Sequence, residues 1–270
     1  MFHLVAYLHY IPPGTEFKYI NPIPDSQLRI EGYNVIVPEG LNHVIAVYAG
    51  GHYIERARLE TPSLRRNMLL EIAPIFRGEY VGKWDHVHIY KEAPLTLDAS
   101  EPMRFLAYHN DTNARGVLGL VWLADGPITP VVSEYFVARA ICGNINRTGE
   151  WVNVSITFDQ TLPAGRYQVI GARLQMASAI AFRLSFVGQS WRPGWLACRP
   201  FVPTTLAISK EETQQAILAY EEISSTVDYP IRGGRFGVWG EFPHDQPPTV
   251  DVLTNGYGTP VLYMDLVKIG

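Results

Sequence analysis

The turn Pro38-Glu39-Gly40 recurs as Pro163-Ala164-Gly165, and the recurrence extends well beyond the turn. At an offset of 125 residues Tyr33 meets Phe158, Val37 meets Leu162, and Val44-Ile45 meets Val169-Ile170. Arg58-Leu59 in "ERARLE" meets Arg183-Leu184 in "AFRLSF", and Pro74 meets Pro200 at an offset of 126. Nearer the end of each half a second register holds at 145, placing Pro102, Phe105, Ala107 and Asn110 on Pro247, Val250, Val252 and Asn255. Each segment then enters a turn and a closing apolar strand, "VLGLVWL" or "VLYMDLV". The second half therefore carries about 20 extra residues between the two registers. A two-fold repeat this long is not a solenoid period. It predicts two tandem domains, 1–126 and 127–270.

What fills each copy is read from alternation. Period-two patterns and β-branched or aromatic runs dominate the chain, among them "HVIAVYA", "YIERARLE", "MRFLAYH", "YQVIGARLQ", "AIAFRLSFV" and "TVDVL". The runs are short, and Gly, Pro, Asn and Asp turns separate them, which is the profile of an all-β sandwich or barrel. Each copy has room for about eight short strands, the content of one jelly roll. One helix stands out inside the extra residues of the second half. "SKEETQQAILAYEEISS" opens with Ser209 three residues before Glu212, a capping box, and Ala216, Ala219, Tyr220 and Ile223 follow at helical spacing. A short inserted helix is expected near 209–224.

The bulk numbers narrow the function classes. Hydrophobic residues make up 47% of the chain and charged residues only 18%, below the roughly 25% of a typical soluble domain. That balance points to extensive burial, including burial between subunits. The net charge is −4 with no long run of like charge, so no basic arm for coating nucleic acid is present. Arg accounts for 17 of the 22 basic residues, and guanidinium groups suit desolvated pairing with carboxylates. Cys142 and Cys198 do not make a disulfide framework; one bridge or two reduced core thiols are both open. The opening "MFHLVAYLHYIPPG" lacks a positive n-region and reads as a strand rather than a signal peptide.

Several patterns touch on chemistry. Gly32, Pro38, Gly40 and His43 form a Gly-x5-Pro-x-Gly-x2-His spacing that resembles the second metal motif of cupins, and His86, His88 and Glu92 are spaced like the first. Three features oppose a metal site. The order is reversed relative to cupins, the flanking glycines are out of place, and the second copy of the turn has Gln168 where His43 sits. His43, His86, His88 and Glu92 are therefore read as ordinary surface or hydrogen-bonded groups, with a bicupin-like metalloenzyme as an alternative. No Gly-x-Ser-x-Gly elbow or Cys-His pairing points to a nucleophile, and "RGGRFG" lacks the Lys-Ser/Thr ending of a phosphate loop. Trp191 and Trp195 flank Pro193-Gly194, which reads as a turn, and could form an aromatic sugar platform, which keeps a tandem β-sandwich carbohydrate-binding protein as a second alternative. No catalytic, cofactor-binding or metal residue is assigned, and no cofactor is expected.

Two jelly rolls in tandem, low charge, no catalytic constellation and a helix inserted in one half together resemble the double jelly-roll major capsid proteins of viruses and phages. The residues carrying the resemblance are the paired "VPEG"/"LPAG" turns, "ARLE"/"FRLS" and the two closing hairpins. The resemblance implies two sandwiches side by side, pseudo-hexagonal homotrimers, and a non-enzymatic structural role. It also implies other capsid proteins as partners and a place in the virion after assembly in the host cytoplasm. This chain lacks an obvious basic or amphipathic N-terminal arm, so contact with a membrane is left open.

Overall fold

The computed structural model describes residues 1–51, 54–67, 70–72, 75–76, 87–109, 112–176, 178–197 and 234–270. The helix expected near 209–224 lies outside the described residues, as do His86 and Cys198. The described chain is almost entirely β and falls into two compact units. One is Val5–Pro127; the other joins Met1–Leu4 to the described residues from Ile128 onward.

In the first unit the strands are β1 (Phe2–Ile11), β2 (Gly14–Ile20), β3 (Ile30–Glu31), β4 (Asn34–Ile36), β5 (His43–Gly51) and β6 (Ile54–Glu60). They continue with β7 (Leu70–Ile72), β8 (Ile75–Phe76), β9 (His88–Ile89), β10 (Leu95–Thr96), β11 (Pro102–His109) and β12 (Arg115–Ala124). The first residues of β1 group with the second unit. One short helix, α1 (Pro62–Asn67), follows β6. It was not foreseen from the sequence; Thr61 caps it, its hydroxyl accepting from the Leu64 N–H at 3.2 Å. One sheet runs β1-β12-β5-β10, with β8 and β9 also pairing β5; the other runs β3-β4-β11-β6-β7, with β2 also pairing β11.

The second unit holds β13 (Phe136–Cys142), β14 (Trp151–Val154), β15 (Ile156–Phe158), β16 (Arg166–Gln175) and β17 (Ala179–Ser185). It ends with β18 (Gly194–Leu196), β19 (Gly240–Pro243), β20 (Thr249–Thr254) and β21 (Val261–Lys268). Its sheets run β15-β13-β21-β16-β19 and β14-β20-β17-β18. Of the pairings whose register is described, that of β5 with β8 is parallel and the others are antiparallel.

The two units share one strand order. The path β1-β12-β5-β10 in the first corresponds to β13-β21-β16-β19 in the second, and β11-β6-β7 corresponds to β20-β17-β18. The sequence offset of 125 carries β6, Ile54–Glu60, onto β17, Ala179–Ser185, residue for residue. The offset of 145 carries β11 and β12 onto the segments of β20 and β21. The glycine of the repeated turn has a positive φ in both units, in two different conformations. Gly40 has φ +80° and Gly165 φ +147°, values that disfavour an L side chain. Any Cβ at Gly165 would collide with the Gly270 carbonyl.

Each unit closes around an aromatic placed on a glycine. In the first, Phe105 of β11 stacks on Tyr7 of β1 with centroids 5.5 Å apart and lies over Gly119 of β12, where a Cβ would come within 2.6 Å of the ring. In the second, Phe186 lies over Gly240 of β19, where a Cβ would come within 2.5 Å of it. Phe182 stacks on Trp239 at 6.3 Å, and Trp195 meets Phe236 edge-on at 5.0 Å. These rings join the facing sheets into a packed layer.

Candidate functional site

His43 and His88, the described histidines of the metal-like spacing, do not converge. His88 pairs with Val47 in the β5–β9 ladder, whereas His43 pairs with Thr96 and Ala124 at the start of β5. Four residues of extended strand separate the two positions, about 13 Å. His43 keeps a buried Nδ1 with no hydrogen-bond partner. The Glu92 carboxylate is taken by Lys91 at 2.5 Å, and that hydrogen bond lowers its pKa. Among the described residues no group of three or more His, Cys, Asp or Glu side chains is arranged to hold a metal ion.

Cys142 is a buried free thiol at the end of β13, and burial pushes its pKa up to about 12. A thiol so shielded is not a nucleophile at neutral pH.

The two tryptophans of the expected platform part company. Trp195 is fully buried in β18, opposite Phe182 of β17, and belongs to the core. Gly194, read as part of a turn, is a strand residue instead. Its lack of a side chain lets β18 approach β17, because a Cβ there would meet Arg183 Cβ at 2.5 Å. Trp191 remains half-exposed and lines a groove.

The repeated arginines, Arg58 and Arg183, occupy equivalent places on β6 and β17, and each lies over an aromatic ring. Arg183 sits 4.3 Å from the ring of Trp151, and Arg58 sits 3.8 Å from the ring of Phe17. Their surroundings differ. Arg183 is buried and donates from Nε to Asp251 Oδ2 at 2.8 Å. Arg192 Nη1 reaches the same oxygen at 2.7 Å, and Asn153 Nδ2 donates to Asp251 Oδ1 at 2.7 Å. His3 Nδ1 accepts from the Arg192 backbone N–H at 3.0 Å, tying the chain start into the same network. A carboxylate buried among three donors fixes β14, β17, β20 and the segment before β18 in one geometry.

Around Arg58 the face is open. Arg56 lies 5.2 Å from Phe17 and pairs with Glu71 at 2.6 Å; Tyr108 meets Phe17 edge-on at 5.1 Å. Tyr19 stacks on Tyr33 at 5.3 Å, with Arg104 beside it at 5.7 Å. Arg58 and Arg104 each hold a buried Nε with no partner. Tyrosine and arginine on one sheet face are the side chains that carry most binding energy at protein interfaces. This face depends on β2, which alternation did not reveal.

The second unit presents a different surface. Val132, Tyr135, Phe136, Val137 and Ile141 are all exposed, with Val132 at 99%. Along β13 the small residues Ala138, Ala140 and Cys142 point inward while Val137, Arg139 and Ile141 point out. Its neighbour β15 covers only Ala140–Cys142. An exposed, largely apolar run, broken by Ser133, Glu134 and Arg139, beside a partly uncovered strand is chemistry suited to contact with another chain.

No protein-family model matches the chain, and no curated protein matches it. Among solved structures, the crystal structure of the major capsid protein P2 from bacteriophage PM2 is similar. The two share 9% identity over 94% of this chain and 97% of that chain, with a TM-score of 0.24. At that TM-score the likeness carries no weight for this chain, whose reading rests on its own strands and surfaces.

Proposed function

We propose that this chain is a structural, self-assembling coat protein, the major capsid protein of a virus or phage, built as two tandem jelly rolls. The observation that carries the reading is the duplicated strand order. Each unit has two facing sheets in which β1-β12-β5-β10 and β11-β6-β7 reappear as β13-β21-β16-β19 and β20-β17-β18. That interleaving of strands distant in sequence supports the jelly-roll reading. In this reading the tandem boundary falls at 126/127.

Duplication within one chain supports a specific assembly. Two units of like order offer similar edges, so three copies close a near six-fold ring through repeated, quasi-equivalent contacts. The Tyr/Arg face around Phe17 and the exposed run 132–137 supply surfaces for those contacts. The role is non-enzymatic, and the partners are further copies of this chain and other coat components. Its place is the virion, after assembly in the host cytoplasm.

Negative-stain electron microscopy of the expressed protein tests this reading. Pseudo-hexagonal capsomers or closed shells are expected. Isolated monomers under all assembly conditions tried would overturn it.

A further inference from the structure

We propose that the groove beside Trp191 in the second unit is a binding site for a neutral pyranose sugar. The groove holds about 630 Å³, and Trp191, Trp239, Val187, Gln189, Arg166 and Glu241 line it. That volume lies within the range of about 300–1,000 Å³ typical of ligand sites. The proposal goes beyond the coat-protein reading and does not depend on it.

The walls are held in place. The Gln189 side-chain amide donates to the Trp191 carbonyl at 2.9 Å and to the Trp239 carbonyl at 3.1 Å, bridging the two sides. On the rim, Glu241 accepts from Gln168 Nε2 at 2.8 Å and pairs with Arg166 at 3.3 Å. A carboxylate offers about four acceptor sites, so two donors leave capacity for ligand hydroxyls. Arg166 and Glu241 both keep solvent-facing surface, with side chains 64% and 39% exposed.

The charge balance selects the ligand. The side chains of Arg166 and Glu241 on the rim offset one another, so the charged side chains lining the groove favour neither an anion nor a cation; Met1 lines it as well. What remains is a half-exposed indole beside planar groups that hydrogen-bond in pairs. A pyranose matches both, with a C–H face for the ring and adjacent hydroxyls for the guanidinium and carboxylate.

Saturation-transfer NMR on the full-length protein, with a panel of neutral methyl hexopyranosides and N-acetylhexosaminides, is the test. At least one sugar is expected to receive saturation on its ring protons. Trp191→Ala is expected to weaken apparent affinity by about tenfold, the loss of one aromatic contact. Glu241→Gln, which keeps the shape of the rim, is expected to weaken it as well, and because Glu241 is on the exposed rim this variant should unfold at the wild-type temperature. Absence of transfer to every sugar, or transfer unchanged by both substitutions, would overturn the proposal. Neither result bears on particle assembly, so the coat-protein reading stands or falls separately.

Discussion

Arg183 and Asp251 face one another across β17 and β20 as register partners, and their ion pair is sealed from solvent, with both side chains 1% exposed. Arg192 and Asn153 complete the carboxylate's shell. A buried carboxylate so surrounded stabilises by matching; removing it leaves the Arg183 guanidinium charged and dry.

Replacing Asp251 with Ala therefore leaves Arg183 buried without its counter-ion. The expected cost is about 3–5 kcal/mol, read as a shift of the urea midpoint. The double substitution Arg183→Met with Asp251→Leu is expected to recover most of that loss, because Arg192 retains solvent access with its side chain 20% exposed. Equal destabilisation of the single and double variants would contradict the pairing.

Gly119 is expected to be intolerant of any side chain, since Phe105 occupies the space a Cβ would need. Gly119→Val should destabilise by about 1–3 kcal/mol through overpacking. Adding Phe105→Leu should restore part of it, whereas additive losses in the thermal unfolding of the double variant would show the two residues are not in contact.

Cys142 is expected to resist alkylation in the folded protein. With its pKa near 12, the thiolate fraction at pH 8 is about one in ten thousand. Iodoacetamide should label it only after denaturation, which peptide mass spectrometry resolves from labelling at Cys198. The same shift has a signed consequence for stability. The folded thiol's pKa stands above its ordinary value of 9.0, so the stabilisation is full below about pH 9 and is lost as pH rises toward about 12.

Much of this architecture was legible in the chain. The offset that pairs Arg58 with Arg183 also pairs β6 with β17, because strands in equivalent places of the two units repeat a similar alternation. Other strands escaped notice for physical reasons. β13 turns small residues, Ala138, Ala140 and Cys142, to the core and exposes its larger ones, so its apolar signal is inverted. β18 was hidden by Pro193-Gly194, whose glycine serves close approach rather than a turn. The groove at Trp191 joins the segment 186–191 to Arg166 and to β19, and residues that far apart are brought together only by the fold.

Val137, on the outward side of β13, is 50% exposed. Val137→Asp should leave the folding stability within about 0.5 kcal/mol of wild type. Under the coat-protein reading it should reduce self-association, seen as a shift toward smaller species in sedimentation velocity. Unchanged sedimentation would remove this surface from the assembly contacts.

The most direct test of the central claim is the mass of the assembled species at micromolar concentration, measured by mass photometry or native mass spectrometry. A species of three copies of the 30.3 kDa chain, or a larger shell in multiples of three, is the predicted result. A clean monomer across that concentration range would contradict it.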